Sequence, residues 1–155
     1  MTNEQIISKL VQQNITISTA ESCTGGSLGK IITSVAGVSS IYGYGFITYA
    51  NEAKEKILGV KHETLDSYGA VSAETALQMA LGAREVSGSD IAVSVTGIAG
   101  PGGGTPEKPV GLVYIAFADK NGADYRKLNL SGSRDEIRSK TCDEVFKLIK
   151  EKLNF

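Results

Sequence analysis

The chain carries side chains suited to acyl transfer, and the first of them along the sequence is a serine. Ser22 stands in Glu21-Ser22-Cys23-Thr24-Gly25-Gly26, directly after a β-branched run. A serine between the end of a strand and the start of a helix faces the crevice where α/β sheets bind ligands, and free helix N–H groups there hold an oxyanion or a phosphate. The segment matches neither G-x-S-x-G nor the P-loop. Ser22 is therefore a candidate nucleophile; the alternative is that Ser22 and Thr24 only cap the helix.

A serine nucleophile needs a base, and the chain offers histidine or lysine. His62 is the only histidine, so a Ser-His-Asp triad would have to use it, yet it stands in a polar, turn-like segment. A lysine serves instead if a desolvated site lowers its pKa. Lys54 is the candidate because it lies in the first turn of a predicted helix, whose positive end also lowers its pKa. Lys56 and Lys61 are close by in sequence, and the alternative is that Lys54 is an ordinary solvated lysine.

Two further side chains stand close to this pair in sequence. Tyr49 ends the strand before the Lys54 helix, and a strand-to-helix turn would bring its hydroxyl to the lysine amine. The alternative is a tyrosine at the edge of the core with a satisfied hydroxyl. Cys23 adjoins the candidate nucleophile, and we interpret it as a small buried residue rather than the attacking thiol.

The remaining segments indicate an anion site. The chain has 18 glycines, and the run from Thr96 to Thr105 concentrates them after a buried strand, where they expose backbone N–H groups for an anion or an amide. Flexibility without function is the alternative. Arg134 and Arg138 lie one turn apart at a helix amino end, where cations are locally unfavourable. That placement indicates an anion site, unless the two arginines form a solvated face or pair with Asp135.

Composition excludes several other classes of function. The formal net charge of -1 gives no bulk field toward nucleic acid or anionic membranes. Neither a run of about 18 apolar residues nor an apolar signal segment occurs, so we expect a cytoplasmic protein that does not contact a membrane. Cys23 and Cys142 are far apart and lack histidine partners, which argues against a disulfide framework or a zinc site. We expect no metal and no organic cofactor.

The alternation of helical and strand patterns predicts the α/β class. Helices are expected over 3–13, 24–35, 51–58 with Asn51 as N-cap, 72–88, and from the Ser133-x-x-Glu136 capping box onward. Strands are expected over 15–19, 41–49, 91–95, 111–118 and 125–130, the last two joined by an Asn121-Gly122 turn. These elements predict a three-layer α/β/α sandwich with a mixed, mostly parallel sheet in one domain over 1–155. The irregular stretch 98–110 is long enough to suggest a functional loop.

The same segments, taken in order, resemble a known family. They are Thr19-Ala20-Glu21-Ser22-Cys23-Thr24-Gly25-Gly26, Thr48-Tyr49-Ala50-Asn51-Glu52-Ala53-Lys54, Gly69-Ala70-Val71-Ser72, the Thr96 to Gly103 run with Lys108-Pro109-Val110-Gly111, and Arg134 with Arg138. They look like the successive motifs of the CinA carboxyl-terminal domain, or nicotinamide-nucleotide amidase, family. The likeness spans residues 3–150 and implies the same three-layer fold.

The resemblance implies an amidohydrolase in pyridine-nucleotide recycling. It would hydrolyse the carboxamide of nicotinamide mononucleotide to nicotinic acid mononucleotide and ammonia, without metal or cofactor. By position, Ser22 would be the nucleophile, Lys54 the base and Tyr49 a residue that positions or relays the proton, with an oxyanion held by N–H groups near Thr24 and Gly25. The implied substrate-binding residues are Thr24, Gly25, Gly26, Asn51, Gly97, Gly100, Gly102, Gly103, Thr105, Arg134 and Arg138.

The resemblance also bears on assembly. It implies a homodimer, and because many relatives carry an additional amino-terminal domain similar to molybdopterin-binding proteins, we expect this chain to be the stand-alone form. The competing hypothesis is a nucleotide-binding or competence- and damage-related regulatory module, in which Ser22 only caps a helix and the pocket senses a phosphate ligand. A hydrolase that uses Cys23 as its nucleophile is a third hypothesis.

Overall fold

A five-stranded mixed sheet forms the middle of the molecule. The computed structural model describes residues 1–155. The strands are β1 (Ile17–Glu21), β2 (Tyr44–Ile47), β3 (Ile91–Gly97), β4 (Leu112–Asp119) and β5 (Gly122–Asn129), in the order β2-β1-β3-β4-β5. Strand β1 pairs in parallel with both β2 and β3, whereas β4 is antiparallel to β3 and β5. Four strands therefore share one direction, and the predicted mixed, mostly parallel sheet is confirmed.

Six helices cover both faces of this sheet. They are α1 (Asn3–Gln12), α2 (Ser27–Thr33), α3 (Asn51–Leu58), α4 (His62–Tyr68), α5 (Ala73–Ser87) and α6 (Arg134–Leu153), with a 3₁₀ turn at Val38–Ser40. The main core, with 22 buried residues, lies between the sheet and α1, α2 and α6. A smaller core lies on the other face, under α3, α4 and α5. The predicted three-layer α/β/α sandwich is confirmed.

The directions of the two crossover connections explain why the helices lie on both faces of the sheet. The β1-α2-β2 connection steps outward to the sheet edge, and the β2-α3-α4-α5-β3 connection steps back across β1. Parallel crossovers are right-handed, so two steps in opposite directions place their helices on opposite faces. The carboxyl ends of β1, β2 and β3 consequently meet at one edge of the sheet, between the two helical layers, where open α/β sheets bind ligands.

Two local expectations about the helices are wrong. Asn51 is not the N-cap of α3: Ala50 holds that position in an extended conformation, with no side-chain cap, and Asn51 is already helical. The start of α3 is set instead by burial of Lys54 and Leu58, one turn apart, against the core. The turn-like segment around His62 is the start of α4, a short helix that burial of Thr64 and Leu65 stabilises.

The segment before α2 also differs from its expected form. The predicted helix 24–35 is confined to Ser27–Thr33, because Gly25 and Gly26 adopt positive φ angles of 55° and 106° and form a turn. The first strand lies two residues later than expected. The backbone N–H and the hydroxyl of Thr16 both donate to Asp90 Oδ2, and the sheet pairing begins at Ile17.

The carboxyl-terminal half matches the expectation closely. Gly122 pairs with Asp119 at the start of β5, which confirms the hairpin at Asn121-Gly122. The capping box of α6 is present in both directions: Glu136 N–H donates to Ser133 Oγ, and Ser133 N–H donates to Glu136 Oε1. No helix is long and apolar enough to span a bilayer.

Close contact between α3 and α5 yields a test of the packing. A Cβ atom at Gly82 would lie 1.9 Å from the carbonyl oxygen of Leu58, which no small shift relieves. We expect Gly82→Ala to lower the free energy of unfolding by about 1–3 kcal/mol through overpacking, measured by urea denaturation. Gly43→Ala is the matched control, because a Cβ there meets nothing within 4 Å. Equal stability of the two variants would contradict this account of the α3–α5 contact.

Candidate active site

Alternation along β1 places Ser22 and Glu21 on opposite sides of the sheet. Glu21 is the last residue of β1, on the face that α2 covers, and Ser22 follows on the face of α3. The Ser22 N–H donates to the carbonyl oxygen of Val95 in β3 at 3.1 Å, which holds the serine at the end of the strand. Ser22 is 8% exposed, at the inner end of a cavity.

The amine of Lys54 lies in contact with this serine. Its Nζ donates to Ser22 Oγ at 3.1 Å, to the Thr48 carbonyl oxygen at 2.8 Å and to the Tyr49 carbonyl oxygen at 3.3 Å. Lys54 is 1% exposed and is the largest of the fully buried side chains. The structure thus brings together Ser22 and Lys54, whereas Lys56 and Lys61 do not line the cavity.

The surroundings of Lys54 favour its neutral form. No ion pair of the chain includes this amine. Burial lowers the pKa of Lys54, because desolvation penalises the ammonium and three uncharged partners do not replace a counter-ion. A Cys23 thiolate would oppose this shift, but burial raises the pKa of the Cys23 thiol to about 11, so the thiol is uncharged near neutral pH.

Tyr49 contacts Lys54 through its backbone, not through its phenol. Its carbonyl oxygen accepts from the lysine, while its hydroxyl accepts from Arg134 Nη2 at 3.2 Å. The side chain is 61% exposed at the cavity mouth. The expected contact between the Tyr49 hydroxyl and the lysine amine is therefore absent, because the strand-to-helix turn directs the carbonyl group inward.

Ser22 opens into a cavity of about 220 Å³ at the shared edge of β1, β2 and β3. Arg134 crosses its mouth: Nη1 donates to the Gly100 carbonyl oxygen at 2.7 Å, and Nη2 donates to Tyr49. A guanidinium has five N–H donors, so Arg134 keeps donors for an anion. The cavity is lined by Ser22, Cys23, Tyr49, Lys54, Ala70, Val71, Thr96, Gly97, Ala99 and Arg134.

The residues after Ser22 form a turn that an internal carboxylate holds. Glu21 Oε1 accepts from the Thr24 hydroxyl and from the N–H groups of Gly26 and Leu28, and Oε2 accepts from the N–H of Gly29. Thr24, Gly25 and Gly26, which we expected to bind substrate, do not line the cavity. The Gly25 N–H is also occupied, since it donates to the Ser22 carbonyl oxygen.

The other expected binding residues divide between the cavity and its surroundings. Gly97 lines the cavity, and Gly100 touches Arg134. Gly102 and Gly103 are exposed in the loop, and their N–H groups have no oxygen acceptor in the protein. Thr105 forms a turn with Lys108, and Asn51 is exposed; neither lines the cavity.

The structure separates the two arginines. Arg138 does not line the cavity of Ser22 but a neighbouring groove between α2 and α6. Its Nη2 donates to the Thr24 carbonyl oxygen at 2.8 Å, so it contacts the turn after Ser22 from the side away from Lys54. Its position one helical turn from Arg134 was visible in the sequence, but the different environment of each arginine depends on how α6 packs.

Sequence analysis missed the roles of Thr48, Ala70, Val71, Thr96 and Ala99. The Thr48 carbonyl oxygen is the nearest partner of Lys54, and Thr96 lines the cavity while its hydroxyl donates to the Ala70 carbonyl oxygen. Backbone carbonyl groups leave no signal in residue type. His62 lies on the surface between Glu55 and Asp66, and no group of three or more His, Cys, Asp or Glu residues is arranged to hold a metal ion.

Comparison with known proteins identifies relatives of the whole chain. The family model of the CinA C-terminal domain matches residues 1–153. A putative competence-damage inducible protein of Caldanaerobacter subterraneus is 53% identical over 97% of this chain and 37% of its own length. A CinA-like protein of Kosmotoga olearia is 52% identical over 90% of this chain and 34% of its own length. The chain thus spans about a third of the length of these relatives.

Solved structures show the same fold. The competence/damage inducible protein CihA of Agrobacterium tumefaciens superposes with a TM-score of 0.94 at 45% identity, over 99% of this chain and 93% of that one. A CinA superfamily protein of Klebsiella pneumoniae gives a TM-score of 0.93 at 28% identity, over 99% of both chains.

Burial of the two thiols generates a test of the Cys23 alternative. With a pKa of about 11 for the Cys23 thiol, about one thiol in a thousand is ionised at pH 8. We expect iodoacetamide to label Cys23 of the folded protein about 100-fold more slowly than in denaturant at the same pH, as followed by mass spectrometry. Cys142 is the internal control, because burial raises its pKa to about 12. Rapid labelling of Cys23 beside slow labelling of Cys142 would favour a reactive thiol.

Proposed function

Because the chain belongs to the CinA C-terminal domain family, we propose that it hydrolyses the carboxamide of nicotinamide mononucleotide to nicotinic acid mononucleotide and ammonia. Ser22 is the nucleophile and Lys54 is its base. One observation carries the proposal: the buried Lys54 amine has two carbonyl oxygens and the Ser22 hydroxyl as its only hydrogen-bond partners.

These three partners suit a neutral amine. A neutral lysine has two N–H donors and one lone pair. The carbonyl oxygens of Thr48 and Tyr49 only accept, so they take the two donors. The charged amine donates to Ser22 Oγ; in the neutral form the lone pair is directed to Ser22 instead, and the Ser22 hydroxyl donates its proton to Nζ. A site that only binds a ligand has no need of this arrangement, and this favours catalysis over a regulatory module.

The reaction follows from this geometry in two stages. Lys54 takes the Ser22 proton while Oγ attacks the amide carbon, and the negative charge forms on the amide oxygen. The Cys23 N–H has no oxygen acceptor in the protein, and Cys23 lines the cavity, so this N–H supplies the oxyanion donor. The protonated Lys54 then gives its proton to the amide nitrogen as the C–N bond breaks, and ammonia leaves. Lys54 then takes a proton from water as the water oxygen attacks the ester carbon, and it returns that proton to Ser22 Oγ as the ester C–O bond breaks. The acid released loses its own proton to solvent and becomes the carboxylate.

The cavity accommodates the reactive end of the substrate. Its volume of about 220 Å³ lies below the range of about 300–1,000 Å³ that encloses a drug-sized ligand. We place the nicotinamide ring inside and the ribose phosphate at the mouth. There Arg134 has unused donors, and the N–H groups of Gly102, Gly103 and Gly104 have no oxygen acceptor in the protein. These donors suit a phosphate group.

Tyr49 contributes by positioning in this proposal. Its carbonyl oxygen orients the Lys54 amine, and its hydroxyl orients Arg134 at the mouth. Tyr49 thereby connects the base to the group that receives the phosphate.

The proposal also covers assembly, location and cofactors: the protein acts as a homodimer in the cytoplasm, with no metal or organic cofactor.

The direct test is ammonia release from nicotinamide mononucleotide by the purified protein, with a chelator present. We expect turnover by the wild type and a loss of about 10⁴-fold or more in Ser22→Ala, because no other group provides the nucleophile. Cys23→Ala is the matched control and should keep most of the activity. A folded wild type without turnover would favour the binding module instead, and full activity of Ser22→Ala would exclude the serine mechanism.

The pH dependence tests the role of Lys54. Only the neutral amine acts as a base, so kcat/KM should rise with pH and level off above the pKa of Lys54. Burial lowers this pKa below that of an ordinary lysine. The profile is measured between about pH 6 and 10, with folding checked at each pH. Lys54→Arg should be inactive throughout, because a guanidinium keeps its proton. A flat profile, or an active Lys54→Arg, would contradict the assignment.

A further inference from the structure

The carboxylate of Glu21 occupies the amino end of α2, where a bound anion would otherwise fit. Its oxygens accept four hydrogen bonds: from the Thr24 hydroxyl at 2.7 Å, the Leu28 N–H at 2.9 Å, the Gly29 N–H at 3.1 Å and the Gly26 N–H at 3.2 Å. Glu21 is 2% exposed and does not line the cavity. A substrate phosphate therefore has no place at this helix end, and the carboxylate serves another purpose.

The backbone of the same residue is joined to both members of the Ser22–Lys54 pair. Ser22 is its direct neighbour in the chain. The Glu21 carbonyl oxygen accepts from the Thr48 N–H at 2.9 Å, and the Thr48 carbonyl oxygen accepts from Lys54 Nζ at 2.8 Å. A displacement of Glu21 would accordingly move the nucleophile and an acceptor of the base together.

The turn after Ser22 is held at three points. Glu21 holds the Thr24 hydroxyl and the Gly26 N–H on one side. Arg138 donates to the Thr24 carbonyl oxygen, and the Gly25 N–H donates to the Ser22 carbonyl oxygen. Only the N–H groups of Cys23 and Thr24 remain without an oxygen acceptor in this turn. The hydrogen bonds thus fix the turn while they leave the N–H of Cys23, which lines the cavity, without an oxygen acceptor.

We propose that Glu21 is a positioning residue of the active site: its carboxylate holds the turn 22–26 so that Ser22 Oγ meets Lys54 and the N–H group of Cys23 faces the developing oxyanion. The inference rests on the proposed function, which it deepens. Glu21 touches neither the substrate nor the reacting atoms. Its negative charge matters because all four of its partners are donors, and a neutral amide side chain would turn its own N–H groups toward some of them.

The test compares the kinetics of Glu21→Gln and Glu4→Gln on nicotinamide mononucleotide. Glu4 is the matched control, an exposed acidic residue in the first turn of α1. We expect Glu21→Gln to lower kcat about 10- to 100-fold, with KM changed less than about twofold, because misplaced groups lose transition-state contacts rather than substrate binding. The apparent pKa of the rate profile should stay unchanged. Glu4→Gln should behave as the wild type.

A purely structural role would give a different result. If Glu21 only stabilises the fold, Glu21→Gln would melt at a lower temperature but keep the wild-type kcat when assayed well below its melting point, and the proposal would be overturned. A rise in KM of about 10- to 100-fold with an unchanged kcat would overturn the proposal as well, since that pattern indicates lost substrate binding.

A second variant keeps the proposal testable if Glu21→Gln fails to fold. Thr24→Val removes the shortest of the four contacts and preserves shape and charge. It should lower kcat about 3- to 10-fold at constant KM; an unchanged kcat would overturn the proposal.

Failure of the proposed function has a separate signature. If the wild type releases no ammonia, the amidase assignment fails, and crystal structures of the wild type and Glu21→Gln (or Thr24→Val) then decide the positioning role. A Ser22–Lys54 separation kept near the present 3.1 Å in the variant would overturn it, and a displaced turn with that contact broken would support it.

Discussion

The amine of Lys54 is removed from water with no carboxylate beside it, and the rest of the site depends on that burial. An unpaired ammonium in such a place is penalised, so the surroundings favour the uncharged base. Two carbonyl oxygens, from Thr48 and Tyr49, fix the amine without neutralising it. The remaining partner is the Ser22 hydroxyl. The fold thereby holds Lys54 beside Ser22 without a counter-ion.

The sheet supplies the geometry for this pair. Parallel strands β1 and β2 end at the same edge, which brings Ser22 after one strand close to Thr48 and Tyr49 after the other. Alternation at the end of β1 then separates two functions in adjacent residues. The Glu21 side chain points toward α2 and accepts hydrogen bonds from its free N–H groups, while the Ser22 side chain points toward α3 and Lys54. A shift of one residue in register would exchange these two environments.

The family relationship and the site geometry carry different weight. A putative competence-damage inducible protein and a CinA-like protein share the domain over about a third of their length, and those names describe no chemistry. The chemistry is argued from the buried Ser22–Lys54 contact, the cavity beside it and the arginine at its mouth. Arg134 joins the glycine-rich loop to Tyr49 across that mouth, so loop, phenol and α6 are coupled where a phosphate is proposed to bind.

Residue types and their spacing were sufficient for the three-layer fold, the hairpin at Asn121-Gly122 and the capping box at Ser133, because periodicity and local motifs are properties of the chain itself. They left Lys54 as one candidate base among several, and the resemblance of the ordered motifs to a known family singled it out. Tertiary structure decided the rest. The start of α3 follows from burial of Lys54 and not from a cap at Asn51. The Tyr49 hydroxyl meets Arg134, and Arg138 lies outside the cavity. Such outcomes depend on backbone carbonyl groups and helix packing, which bring together residues far apart in sequence and leave no mark on residue type.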